Sequence, residues 1–125
     1  MQWLLHGSVA PAAVETLRRY GHETHTAAEA ELTAESPADQ VLAEAGRRQW
    51  DICTDESALA RAPYQGAMPF GRCIVLIQSA DHADAIERLF ARFKRLKAGR
   101  LYTITASGVK VRQLPARQLP VASGE

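Results

Sequence analysis

Four side chains could do chemistry together if folding brings them to one place: His6, directly after the apolar run Trp3-Leu4-Leu5; Asp39, at the start of a helical stretch; and Asp55 and Glu56, after the run Trp50 to Thr54. Carboxylate oxygens are ligands for hard divalent cations. Mg²⁺ takes oxygen donors in near-octahedral geometry, and Mn²⁺ also accepts a histidine nitrogen. A cation held by His6, Asp39 and Glu56, with Asp55 beside it, would lower the pKa of a bound water and stabilise the charge that develops as that water attacks a phosphodiester. Each residue also has an ordinary structural use. His6 can simply end a strand. Asp39, three residues after Ser36, fits a capping box, and the acids of Thr54-Asp55-Glu56-Ser57 suit a helix N-terminus. Arg47 and Arg48 at the end of one predicted helix, and Arg88, Arg92, Lys94 and Arg95 along another, offer contacts to phosphates or a solvated helix face. Ser8, Ser57 and Cys53 have no histidine and acid arrayed beside them, so a covalent hydrolase is not expected.

These residues converge only if strand ends and helix starts share an edge, and the order of elements predicts that they do. Trp3 to Leu5 reads as a short strand. A helix follows from near Pro11, capped by Ser8, with Ala10, Ala13, Val14, Leu17 and Tyr20 at helical spacing and Gly21 as its stop. Glu23 to Ala27 is a weak strand, and residues 28–35 are an acidic, Ala-rich connection. Ser36-Pro37-Ala38-Asp39 opens the second helix, with Val41, Leu42 and Ala45 facing inward. Trp50 to Thr54 is a strand interrupted by Asp51, and Glu56 to Ala62 is one or two helical turns. A loop from Pro63 to Gly71, with Tyr64, Met68 and Phe70, leads to Cys73-Ile74-Val75-Leu76-Ile77, a continuous apolar run suited to burial on both faces of a parallel sheet. Asp81 to Ala98 predicts a long helix with the stripe Ile86, Leu89, Phe90, Phe93 and Leu96, its acids early and its bases late, matching the helix dipole. Leu101–Thr105 and Val109–Leu114 flank Ala106-Ser107-Gly108 as a hairpin. The expected fold is a three-layer α/β/α domain with a mainly parallel central sheet and a C-terminal β-hairpin over residues 1–117, followed by a flexible tail at 118–125.

A chain of 125 residues holds one core, and at this size about two thirds of the unfolded surface can be buried. With 46% apolar and 23% charged residues it reads as an ordinary globular domain. A net charge of +1 gives no global pull toward nucleic acid or anionic lipid. Cys53 and Cys73 sit in apolar runs at a spacing that matches no zinc motif, which suggests buried, reduced thiols and a cytoplasmic protein. The apolar patch at the N-terminus lacks a basic flank and is broken by His6, unlike a signal peptide, and no run approaches a membrane span.

The order and spacing resemble the small bacterial PIN-like proteins related to the Mut7-C domain, distant relatives of the toxin ribonucleases of toxin–antitoxin pairs. The resemblance is carried by Trp3-Leu4-Leu5-His6, by Val9-Ala10-Pro11 through Leu17-Arg18-Arg19-Tyr20, and by Gly21-His22-Glu23. It continues through Ser36-Pro37-Ala38-Asp39 to Ala45, through Trp50-Asp51-Ile52-Cys53-Thr54-Asp55-Glu56, and through Val109 to Pro115, so it spans roughly residues 1–115. In that family an aspartate ends the first strand, where this chain has His6. The family's acidic pair after the third strand, followed by an aromatic residue, falls on Glu56, Ala58 and Leu59, with Asp55 one position early. The resemblance implies a PIN-like fold, a Mg²⁺ or Mn²⁺ site at Asp39, Glu56 and His6, and descent from metal-dependent ribonucleases. Two carboxylates fewer should weaken Mg²⁺ binding steeply. The expected function is therefore a catalytically impaired binding or regulatory module, with RNA, a protein or a second copy of the chain as partner. The alternative is an active Mn²⁺-dependent, toxin-like ribonuclease in which His6 replaces a carboxylate ligand. A receiver domain phosphorylated on Asp55 would share the alternating order, but the acidic pair after the first strand and the lysine after a later strand are missing.

Overall fold

In the computed structural model, which describes residues 1–66 and 69–115, the short apolar runs become strands and the periodic stretches become helices. The chain runs β1 (Gln2–His6), α1 (Pro11–Arg19), β2 (Glu23–His25), a 3-10 turn (Ala28–Ala30), α2 (Ala38–Arg48) and β3 (Asp51–Thr54). It continues with α3 (Ser57–Arg61), a second 3-10 turn (Ala62–Gln65), β4 (Ile74–Gln78), α4 (His82–Arg92), β5 (Arg100–Thr105) and β6 (Gly108–Gln113). Met68, the domain end at residue 117 and the tail 118–125 lie outside the described residues.

The strands form one six-stranded sheet in the order β2-β1-β3-β4-β5-β6. All neighbours are parallel except β5 and β6, which pair antiparallel around Ala106-Ser107 with Thr105 opposite Gly108. Alternation along each strand divides the core between the two faces. Leu4, Ile52, Ile74, Leu76 and Leu101 pack with Val41, Leu42 and Ala45 of α2 and Leu59 and Ala60 of α3. Trp3, Cys53, Cys73, Val75, Ile77, Tyr102 and Ile104 pack on the other face with Ala13 and Leu17 of α1 and Ala85, Ile86, Leu89 and Phe90 of α4. The expected α/β/α architecture with a parallel sheet and a terminal hairpin is present.

The structure corrects several local expectations. The N-cap of α2 is Pro37, not Ser36, and no side chain caps it. The Ser36 hydroxyl instead accepts from the Thr33 amide (2.9 Å), closing a loop turn, so the capping box with Asp39 does not form. The long helix ends at Arg92, and Phe93 is already extended at φ −122° and ψ 108°. Phe93 and Leu96 still pack against the core. They do so from a strap that must return to the sheet: the Lys97 amide donates to the Tyr102 hydroxyl, Gly99 takes φ +78°, and the Gly99 amide donates to the Arg72 carbonyl. Asp51, the apparent flaw in β3, is buried and useful. Its Oδ1 accepts from the Cys73 amide (2.9 Å), which starts β4, and its Oδ2 meets Arg72 at 3.3 Å. Burial pushes the Asp51 carboxyl pKa up, while the Cys73 amide and Arg72 oppose that rise.

Candidate functional site

The strand order reverses between β1 and β3, which lie side by side and lead to helices on opposite faces of the sheet. In such a sheet the carboxyl ends of these two strands border a crevice, because their outgoing loops part in opposite directions. His6 ends β1 and Thr54 ends β3, directly opposite each other in register. His6 Nδ1 and the Thr54 hydroxyl share a 2.9 Å hydrogen bond. Thr54 is fully buried, and its Oγ1 also accepts from the Glu56 amide at 3.0 Å, which turns the chain into α3. Burial lowers the pKa of His6, outweighing the opposite pull of Glu56 and Asp55, so the imidazole is neutral at neutral pH.

Gly7 and Ser8 lock the first loop onto the acids of the second. Gly7 sits at φ +77°, in the left-handed region, and a Cβ there would run into the Asp55 and Glu56 carboxylates. The Ser8 amide donates to Asp55 Oδ1 at 2.9 Å. Asp55 is therefore committed to holding the β1–α1 loop. A crevice of about 450 Å³ opens beside these residues, lined by His6, Gly7, Ser8 and Glu56 and, from the connection after β2, by Thr26 and Thr33, with Leu5, Ala27, Ala28 and Ala34 as apolar wall. Its polar side chains are hydroxyls, a neutral imidazole and a carboxylate; among the described residues, neither lysine nor arginine lines it.

Of the residues singled out in the sequence, His6, Asp55 and Glu56 come together and Asp39 does not join them. Asp39 is exposed in the first turn of α2, where its Oδ1 accepts from the Gln40 amide at 2.9 Å, and it is not among the residues lining the crevice. Among the described residues, no three His, Cys, Asp or Glu side chains are grouped to hold a metal ion. The donor set thus does not fit the implied Mg²⁺ or Mn²⁺ site of His6, Asp39 and Glu56. Thr26 was expected inside the second strand but lies just beyond β2, and Thr33 lies in the following connection with no periodic signal; only the sheet order brings both over the β1 end.

The basic residues do not form one surface. Arg47 and Arg48 belong to α2 and Arg92 to α4, on opposite faces of the sheet, with Arg95 just beyond α4. Arg47 and Arg48 both pair with Glu44, and Arg48 also lies over the Trp50 ring. Arg88 and Arg92 donate to the Thr105 and Val109 carbonyls, tying α4 to the hairpin. Cys53 and Cys73 are buried free thiols, and burial pushes Cys53 up to about 12. No helix among the described residues is long and apolar enough to cross a membrane.

The fold and crevice define a doubly wound parallel α/β domain with a polar pocket at its switch point. No family model, no curated protein and no solved structure matches the chain.

Proposed function

We propose that this protein is a PIN-like domain, derived from metal-dependent ribonucleases, that binds a polypeptide partner at the switch-point crevice without hydrolysing RNA. The observation that carries this reading is the commitment of the polar groups where a nuclease would gather free carboxylates. His6 is bonded to Thr54, and Asp55 holds the Ser8 amide. Asp39 stands apart from the crevice that Glu56 lines. A phosphodiester brought to this place would meet Glu56 with no lining base to offset the repulsion. The same hydroxyls and carboxylate suit a neutral or cationic side chain of a protein partner, with Ala27, Ala28 and Ala34 providing apolar contact.

The test combines single-stranded RNA cleavage in Mg²⁺ or Mn²⁺ with calorimetric titration of Mn²⁺. The wild type should leave the RNA intact and show no saturable Mn²⁺ binding. The double variant His6→Asp with Ala58→Asp should gain Mn²⁺ binding, because it restores acidic density beside Glu56. Mn²⁺-dependent cleavage by the wild type that disappears in Glu56→Gln would establish the ribonuclease reading instead. A double variant that folds but takes up no divalent ion would remove the proposed descent from a metal site.

A further inference from the structure

A second cavity lies at the opposite edge of the sheet, where the strands begin. It measures about 310 Å³ and is lined by Met1, His22, Phe90, Lys94, Arg95 and Leu96. Its bed is aromatic and apolar: the His22 and Phe90 rings lie 4.9 Å apart between centroids, and Tyr20 stacks on Phe90 at 4.9 Å. Its charged side chains are donors, and the one ring-nitrogen acceptor of His22 is already occupied. The Trp3 indole donates to His22 Nδ1 at 2.9 Å. An indole N–H can only donate, so Nδ1 carries the lone pair and the His22 proton sits on Nε2. Burial lowers the His22 pKa, in keeping with a neutral ring.

Lys94 and Arg95 are exposed and have no carboxylate partner among the described residues; other surface bases such as Arg18, Arg61 and Lys110 are also unpaired, but Lys94 and Arg95 are the ones that line the cavity. Among the described residues, no acidic side chain lines the cavity. An apolar bed, a neutral N–H donor and two unpaired cations are the complement of a ligand with an apolar body and an anionic head. At about 310 Å³ the space is near the lower end of ligand pockets, roughly 300–1,000 Å³, so the ligand is small. The aromatic lining from Phe90 and His22, whose rings already pack on each other, favours a flat body that meets their exposed edges. A neutral imidazole beside the cations suits the single charge of a carboxylate better than the near-double charge of a phosphate monoester.

We propose that this cavity is a binding site for a small, flat, apolar carboxylic acid, its body lying on Phe90 and Leu96 and its carboxylate taken by His22, Lys94 and Arg95. The site is separate from the switch-point crevice and does not depend on the reading of that crevice.

The experiment is an NMR titration of the full chain with indole-3-acetate and, in parallel, with its uncharged amide. The acid should bind saturably, with shifts centred on the Trp3 indole N–H, Phe90 and Leu96, and about tenfold or more tightly than the amide. Lys94→Gln with Arg95→Gln changes exposed residues only, and it should weaken the acid about tenfold while leaving the amide unchanged. Equal binding of acid and amide, shifts centred elsewhere, or undiminished binding by the double variant would overturn the proposal. Inorganic phosphate producing the same shifts at equal concentration would reduce the site to a general anion site. A short peptide ending in phenylalanine that binds about tenfold more tightly than indole-3-acetate would assign the cavity to a chain terminus instead.

Discussion

Gly7 and Thr54 set the geometry of the crevice, and each fails differently when changed. Gly7→Ala would place a Cβ against the Asp55 and Glu56 carboxylates at a φ of +77°. It should cost about 1–3 kcal/mol in urea denaturation, the range for a strained non-glycine backbone. Thr54→Val keeps the shape but removes the hydroxyl that serves both His6 and the Glu56 amide. A buried group left unsatisfied costs about 1–3 kcal/mol, so Thr54→Val should lose stability on that order. Asp39→Ala should change stability by only about 0.5 kcal/mol, because an exposed first-turn acid adds little beyond its interaction with the helix dipole. These contrasts also mark what the sequence made legible. The clustering of His6 with Asp55 and Glu56 followed from polar residues placed directly after apolar runs, since in a parallel sheet such positions share an edge. Asp39 stands in the first turn of α2 as expected, but that helix start does not border the crevice; separately, Ser36 bonds back to Thr33 and not forward to the helix, a choice equivalent in sequence but not in space.

Helix α4 shows how far periodicity carries and where it stops. The stripe from Ile86 through Leu96 predicted the inward face correctly, since all of these residues reach the core cluster or pack against it. It could not place the helix end, because an extended strap can also present Phe93 and Leu96 inward. Packing separates the two regions. Leu89 is fully buried within the helix, and Leu89→Ala should cost about 2–5 kcal/mol. Phe93 is half-buried and meets Tyr102 edge-on at 5.3 Å. Phe93→Ala should therefore fall below the roughly 3–5 kcal/mol of a fully buried phenylalanine, and chemical denaturation of the two variants side by side would show the order. Equal losses would mean that Phe93 is packed as tightly as Leu89. The arginines of α4 offered phosphate contacts or a solvated face in sequence, yet Arg88 and Arg92 hold the hairpin instead. One-dimensional charge spacing carries no information about carbonyls supplied by strands later in the chain.

Across the molecule, two histidines link the opposite edges of the sheet to pH. His6 and His22 are both held below the ordinary histidine value of 6.5, chiefly by burial. The unfolded chain therefore binds these protons before the folded one does, so their contribution is intact above about pH 6.5 and is lost as pH falls toward the depressed folded values. Melting temperature should hold steady from pH 8 to 7 and decline below about 6.5, and a His6→Gln, His22→Gln double variant should flatten that decline. A wild-type profile that rises on acidification would contradict the neutral state assigned to both rings. The alternation of strands and helices made this architecture readable in advance, because parallel strands need crossover helices. The strand order was not readable, and with it the two cavities, since the crevice needs β1 beside β3 and the second cavity needs α4 packed over the start of β1. The two free thiols in this core offer a clock. Cys53 on β3 and Cys73 just before β4 are both enclosed, and Cys53 resists ionisation up to about 12. A small alkylating reagent at mild alkaline pH can reach them only when the chain opens, so the labelling rate at low reagent concentration reports the fraction of molecules in which this part of the sheet is open.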